Sequence, residues 1–551
     1  MKQGLLTFIK QHRAECVCFA LFIVLAVIGF CVHEASYDET QAWMIAKTAS
    51  WKEIWRNIPV YEGHPPFWHT LLALPAKSGV PWHIACGVLG LSLMLVNGFL
   101  LFFKAPFPRW VRCLLPFSYF LFYQYGIIVR PYSVIFLLVL LLAIYFPQRN
   151  MRPGLFVGLL AGLCACHVFG MAIACGITLA WLWEIKDHRP WKQYIPALCK
   201  DKRFHKMLLL LGWTLLVVAI TFIPREHPSA ALMPSPSRLK QILYVFLATP
   251  AEAVLTDFSD AIHIMTSALL WGGLLRTALL GLLLLAGMLL YLPKKNILYF
   301  VLPYLCVGTI MVFYASCHHI GLMLLLAIWY FWINLSAQSP SCTWPEPVKL
   351  LAKVMLTCCL LVPIGWSAHV LYLDYTLPIF PGKDMVAFLK RYHLEDELIF
   401  AAWLWKPQET NEKIVYTNPN IQPFAVMLNM YLDHNIVANF HDGENKGYLD
   451  NYAPSDEEIK QTFFHWWEKG LPSVLLNATA LPYLYNNMDL IKEYFAAYTG
   501  VYYTFWKFNP PHKDPQVIYL YRPLWEKYEA DIRKTYAPDP ATDISAKTYI
   551  E

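Results

Sequence analysis

Two acids, Asp38 and Glu39, stand side by side just past the first long apolar run. About two dozen residues later comes Glu62-Gly63-His64-Pro65-Pro66-Phe67-Trp68. A carboxylate near a low-dielectric boundary holds its proton more readily and can serve as a general base toward a hydroxyl or amine. The plainer reading is that acids beside a membrane helix only keep their loop in water. His64 taken alone is an ordinary interface residue; with Glu62 two positions earlier and the acid pair on the same loop, a polar pocket is the better reading. Pro65 and Pro66 suit the first turn of a helix running to about Ala76.

Two further points carry groups that could hold an anion. Arg130 interrupts apolar sequence in Ile128-Val129-Arg130-Pro131-Tyr132. It could snorkel to lipid phosphates, or serve as a bidentate phosphate ligand at membrane depth. Cys317-His318-His319 lies at a turn between apolar runs. Adjacent histidines point apart on a helix, so the pair is read as no metal site, with one imidazole as a phosphate donor. His167 is read as a buried, hydrogen-bonded histidine. The polar, Pro-rich stretch around Arg225-Glu226-His227 and Arg238-Leu239-Lys240 is a lid over a headgroup or a connector.

The elements that must position these groups are membrane helices. The chain has 551 residues, 57% hydrophobic and only 15% charged, where soluble domains carry about 25%. Its 16% aromatic content suits membrane–water interfaces. A net charge of +6, with the basic residues in loops, speaks for topology and against a nucleic-acid partner. All 14 cysteines lie at or before Cys359, mostly in or beside apolar segments, which argues against a disulfide framework. Apolar runs predict eleven spans: 16–32, 82–103, 113–129, 131–146, 154–170, 171–184, 207–223, 264–292, 297–316, 320–335 and 350–373. The 154–184 stretch reads equally as one long helix or two short ones. Lys/Arg counts place the N-terminus in the cytoplasm and the Asp38-Glu39 loop (33–81) outside. Gly154, Gly158 and Gly162, four apart, predict a close-packed helix face.

After about residue 374 the composition becomes that of a soluble domain, so the chain divides into a membrane part (1–374) and an outer α/β domain (375–551). Helices are predicted at 382–392, 423–432 and from Ser455 to about Lys469. Strands are predicted at 398–402, 435–440, 473–477 and 517–521. Asn477-Ala478-Thr479 matches a glycosylation sequon but overlaps a buried strand, and is read as a chance match.

Taken together, these features resemble the GT-C superfamily of integral-membrane glycosyltransferases. The nearest branches are the protein O-mannosyltransferase-like and aminoarabinose-transferase-like bacterial members. The resemblance rests on Asp38-Glu39 opening the first external loop, His64-Pro65-Pro66 closing it, Arg130-Pro131-Tyr132 at the second external turn, and His318-His319-Ile320-Gly321. It covers roughly residues 15–370; the tail is similar in architecture only. It implies inverting transfer of a sugar from a polyprenyl-phosphate donor to an envelope acceptor (protein, lipid or glycan) on the outer face of the plasma membrane. Asp38 would be the base and Glu39 would orient it. Arg130, with His64 and His318 or His319, would bind the donor phosphate, supported by Glu62 and Tyr132. Where related branches carry a second acid five residues after the arginine, this chain has Ile135. That favours a metal-independent mechanism or an acid from Glu39 or Glu62; no metal ligand is assigned, and a divalent cation stays open. His64, where aminoarabinose transferases have lysine, favours the mannosyltransferase-like pattern and makes phosphate binding pH-sensitive.

Two other functions compete. A flippase for a lipid-linked sugar would also need many spans, but no internal repeat is visible. A non-catalytic assembly protein would leave Asp38, His64 and Arg130 without a task.

Overall fold

The structure is a computed structural model that describes residues 8–186, 190–223, 238–255, 271–292, 296–313, 317–336, 345–376 and 382–397. In the tail it describes 399–401, 403–410, 413–421, 423–432, 436, 447–448, 473–476, 498–506 and 513–536. The predicted helix at 455–469, nearly all of the predicted strand at 435–440, Asn477 and the Arg225 loop lie outside the described residues. The chain forms two compact units. The first comprises Met1–His33, Trp55–Leu71 and His83–Tyr375; the second comprises Glu34–Ile54, Leu72–Trp82 and Thr376–Glu551.

The first unit is helical and membrane-embedded in character. Six helices are long and apolar enough to cross a bilayer: Arg13–Val32, Trp82–Phe103, Val168–Lys186, Lys202–Phe222, Leu274–Tyr291 and Glu346–Thr376. Shorter apolar helices cover Tyr132–Gln148, Pro153–Cys166, Leu298–Phe313 and Gly321–Leu335. Val17, Leu209, Leu290 and Leu350 are all more than 60% exposed on the long helices, as hydrocarbon-facing residues must be. The apolar run at 113–129 is not one helix. It divides into Arg109–Leu114, a 3-10 turn at Leu115–Phe117 and a π-helix at Phe120–Ile127. Pro116 sits inside the 3-10 turn and has no N–H to continue a helical ladder. The 154–184 stretch is two helices, interrupted at His167, whose backbone is extended.

Close approach comes from glycines other than the predicted stripe. A Cβ on Gly154 or Gly158 would meet nothing within 4 Å, and one on Gly162 would only touch Leu138 at 3.3 Å. By contrast, a Cβ on Gly176 would fall 2.3 Å from the Pro303 backbone. Helices Val168–Lys186 and Leu298–Phe313 therefore meet backbone to backbone, the contact that small residues permit in membranes. At the end of the first of these helices, Arg149 and Tyr299 both hydrogen-bond Glu184, at 2.7 and 2.6 Å. Buried polar groups also join the first and last long helices. Asp374 Oδ2 accepts from the Tyr123 hydroxyl at 2.7 Å and lies 3.0 Å from His33 Nδ1.

In the second unit, helix Tyr37–Thr48 begins with a capping box. Ser36 Oγ accepts from the Glu39 amide, and Glu39 Oε2 accepts from the Ser36 amide at 2.8 Å. At the other end of this helix, Lys77 Nζ donates to the Ala49 carbonyl at 2.5 Å and to the Lys47 carbonyl at 3.3 Å. A cation therefore closes the negative end of its dipole. Helix Pro423–Leu432 packs on helix Tyr37–Thr48, and Gly447 lies against Met44. The tail holds a four-stranded sheet of order β1-β4-β6-β5, from Ile399–Ala401 (β1), Val474–Leu476 (β4), Tyr498–Trp506 (β5) and Lys513–Tyr521 (β6). The β1–β4 pair is parallel and the other two are antiparallel. A separate antiparallel hairpin joins Trp403–Thr410 (β2) to Lys413–Ile421 (β3).

Two substitutions test this packing. Gly176→Ala is expected to destabilise the protein by about 1–3 kcal/mol, because backbone rather than a movable side chain fills the space. Asp374→Ala strands His33 and Tyr123 in a buried site and is expected to cost about 3 kcal/mol. Thermal unfolding of the protein in lipid nanodiscs checks both, and an unchanged midpoint for either would contradict the packing described.

Candidate functional site

Four interruptions in the helical ladder of the first unit converge on one pocket. The turn after helix Ile58–Glu62 is made by Gly63, with a left-handed φ of 66°, and presents His64. The break after the π-helix presents Arg130, and the helix that follows opens with Tyr132. The extended residue between helices Pro153–Cys166 and Val168–Lys186 is His167. The 3-10 turn Cys317–His319 supplies the last two imidazoles.

Tyr132 lies at the centre of this group. Its ring is 5.2 Å from that of His167, 5.4 Å from His318 and 5.8 Å from His319. The Arg130 guanidinium sits over the same ring at 5.3 Å. His64 stacks on His167 at 4.3 Å, and His318 lies against His319 at 4.3 Å. The expectation that two adjacent histidines point apart does not hold, because a tight 3-10 turn lets both rings reach Tyr132. Side chains also satisfy the backbone groups that the breaks release. The Phe169 amide donates to His167 Nδ1 at 3.2 Å, and the Tyr125 hydroxyl donates to the His318 carbonyl at 2.7 Å. Because His167 Nδ1 accepts, its proton resides on Nε2, which faces the Tyr132 hydroxyl at 3.3 Å.

His167 and His319 are buried, and His64, Arg130 and His318 are half-buried. Burial, followed by the Arg130 charge, pushes the His64 pKa down to about 4. Burial and then Arg130 also hold His318 and His319 well below the usual imidazole range. His69 is pushed down to about 3, first by burial and then by its neighbour His64. The physical cause is crowding. Two unit charges about 5 Å apart repel by roughly 3 kcal/mol at an effective dielectric constant near 20. One fixed guanidinium among desolvated imidazoles therefore keeps them neutral. A guanidinium backed by N–H donors is suited to an oxyanion, and to phosphate in particular.

Of the residues singled out in the sequence, His64, Arg130, Tyr132, His318 and His319 gather here. Glu62 closes the short helix two residues before His64 and is partly exposed. Ile135 is fully buried. Asp38 and Glu39 belong to the second unit. Asp38 is exposed in the first turn of helix Tyr37–Thr48, while Glu39 is buried and occupied in the capping box. The pattern Ser36-Tyr37-Asp38-Glu39 carried that cap in plain sight. Tyr431, which the sequence did not suggest, is held neutral by burial and by the nearby charges of Glu34 and Glu39. His167 was visible only as a buried histidine; no local signal showed that its neighbours would be His64 and Tyr132. Among the described residues no three His, Cys, Asp or Glu side chains converge as a metal site. Comparison with protein-family models, curated proteins and solved structures returns no match.

The depressed histidines make a pH prediction. His64 has a folded-state pKa below its ordinary 6.5, so the folded protein binds fewer protons than the unfolded chain between these values. Stability is then fully present above about pH 6.5 and falls as pH drops toward 4. Thermal midpoints measured across that range should decline, and His64→Gln should reduce the decline. A flat profile would remove the electrostatic account.

Proposed function

We propose that this protein is a polyprenyl-phosphate-dependent glycosyltransferase of GT-C type. It would move a sugar from a lipid-linked donor to an envelope acceptor on the outer face of the plasma membrane. The observation that carries the reading is the pocket in which Arg130, His64, His167, His318 and His319 surround Tyr132. It is an anion site on an otherwise apolar helical framework, which is what an amphiphilic donor with a phosphate headgroup requires. The prenyl chain would lie between spans, and the leaving phosphate would be stabilised by the guanidinium and imidazole N–H groups.

Asp38 is the proposed base: it is solvent-accessible and stands on a helix whose ends are fixed by Ser36, Glu39 and Lys77. It would take the acceptor proton as the acceptor oxygen or nitrogen attacks the anomeric carbon from the face opposite the phosphate, giving inversion. In this reading the membrane spans number eleven, that at 113–129 being broken rather than one helix, the N-terminus is cytoplasmic, and the C-terminal α/β domain lies outside. That domain helps bind the acceptor. Transport of the lipid-linked sugar is the alternative, and no observation favours it over transfer.

Purified protein in nanodiscs, offered a panel of polyprenyl-phosphate sugars and crude envelope as acceptor, should release polyprenyl phosphate. Asp38→Asn, if folded, should lose at least about a hundredfold of that rate, the usual scale for a missing general base. Arg130→Ala should lose a comparable factor. Failure of the wild type to turn over any donor would reject the transferase and leave transport to be tested.

A further inference from the structure

A phosphodiester donor carries one negative charge, which a single guanidinium already matches. The pocket nevertheless adds four imidazoles within ring-contact distance of one another or of Tyr132. Neutral imidazoles donate hydrogen bonds to a monoanion but add no charge of their own; a second negative charge is what favours a proton on one of them. We propose that the Arg130 pocket is a charge-sensing phosphate site: a bound tetrahedral dianion draws one proton onto His64, His318 or His319, so a phosphate monoester is held in preference to a diester.

This inference rests on the reading that the pocket takes the donor phosphate. Among the described residues, the titratable and charged groups set against these imidazoles include Arg130 and Tyr132 from the turn and helix after the π-helix, and Tyr125 from the π-helix, whose hydroxyl donates to the His318 carbonyl. They also include His167 from the helix break, His69 from helix Phe67–Lys77, and the histidines one on another, with Glu62 two residues before His64. Burial and Arg130 keep His64, His318 and His319 neutral until an anion enters. A dianion among them offsets both effects and raises their proton affinity.

The consequence for transfer is specific. When the bond from the anomeric carbon to the phosphate oxygen breaks, both electrons stay on that oxygen and the phosphate gains its second charge. The acceptor proton leaves with the base, and the histidine takes its proton from solvent. That proton returns to solvent when the polyprenyl phosphate departs. The site thus binds the charge of the leaving group more tightly than that of the donor, which is the direction catalysis needs.

The test is calorimetric titration of the full-length protein in nanodiscs with inorganic sulfate, at about pH 5.5, in two buffers of different ionisation enthalpy. Sulfate keeps both charges throughout this range, so any proton taken up belongs to the protein. Uptake approaching one proton is expected. Affinity should fall as pH rises from about 5 to 6.5, by up to roughly tenfold per unit, and level off above. Methyl sulfate, with the same shape and one charge, should bind at least about tenfold more weakly and take up no proton. His64→Gln with His318→Gln should reduce the uptake while the thermal midpoint shows the protein still folded.

Sulfate binding without proton uptake, equal binding of methyl sulfate, or no sulfate binding would each overturn the proposal. A short-chain prenyl phosphate binding far more tightly than inorganic phosphate would identify a lipid headgroup as the source of the dianion, and equal affinities a free phosphate. Donor turnover combined with proton-free sulfate binding would sink this inference and leave the transferase standing. Proton-linked sulfate binding with no turnover of any donor would do the reverse.

Discussion

Within a bilayer every backbone N–H and C=O must find a partner inside the protein, and this constraint organises the site. Wherever a helix breaks in the first unit, freed backbone groups have to be met by side chains. The Phe169 amide is met by His167 and the His318 carbonyl by Tyr125. Polar side chains brought in to repair the ladder then lie beside one another within an apolar helical framework. The candidate site is therefore the place where four helix interruptions coincide, two of them repaired in this way, with Tyr132 between them.

The same constraint explains why the framework around the site is stiff. Helices Val168–Lys186 and Leu298–Phe313 touch through Gly176 and Pro303, which fixes the end of the first helix that begins just after His167. The buried His33, Tyr123 and Asp374 join the first and last long helices to the π-helix leading to Arg130. In the second unit a different device operates. Helix Tyr37–Thr48 packs against helix Pro423–Leu432, and its ends are fixed by a capping box and by the Lys77 ammonium. Asp38 stays exposed while its neighbour Glu39 is buried and structural.

Electrostatics gives the pocket its character. Burial, and then the Arg130 guanidinium, hold His64, His318 and His319 below the usual imidazole range, so neutral hydrogen-bonding nitrogens surround that cation. Such a pocket is adjustable in a way that a cluster of lysines or arginines is not, because its charge can follow that of its occupant.

The sequence by itself determined the solvent in which most of the chain sits, since composition and apolar run length follow directly from bilayer thickness. It also located His64, Arg130 and Tyr132, because charged or aromatic residues beside prolines in apolar sequence stand out, and His318 and His319, as a polar pair at a turn between apolar runs. Parts of the tail were legible too: helices Gly382–Arg391 and Pro423–Leu432 and strands β1, β4 and β6 fall where periodicity placed them. Only the tertiary structure decided that His167 belongs with those residues. Nothing within its own segment distinguishes a helix-breaking histidine from a buried one. It likewise decided that Gly176 rather than Gly154 or Gly158 is a close-packing glycine, because spacing marks a face without saying what covers it. Local pattern reports which groups are out of place in their surroundings. Which of them meet depends on contacts between segments about a hundred residues apart in the chain, and those exist only once the helices have packed.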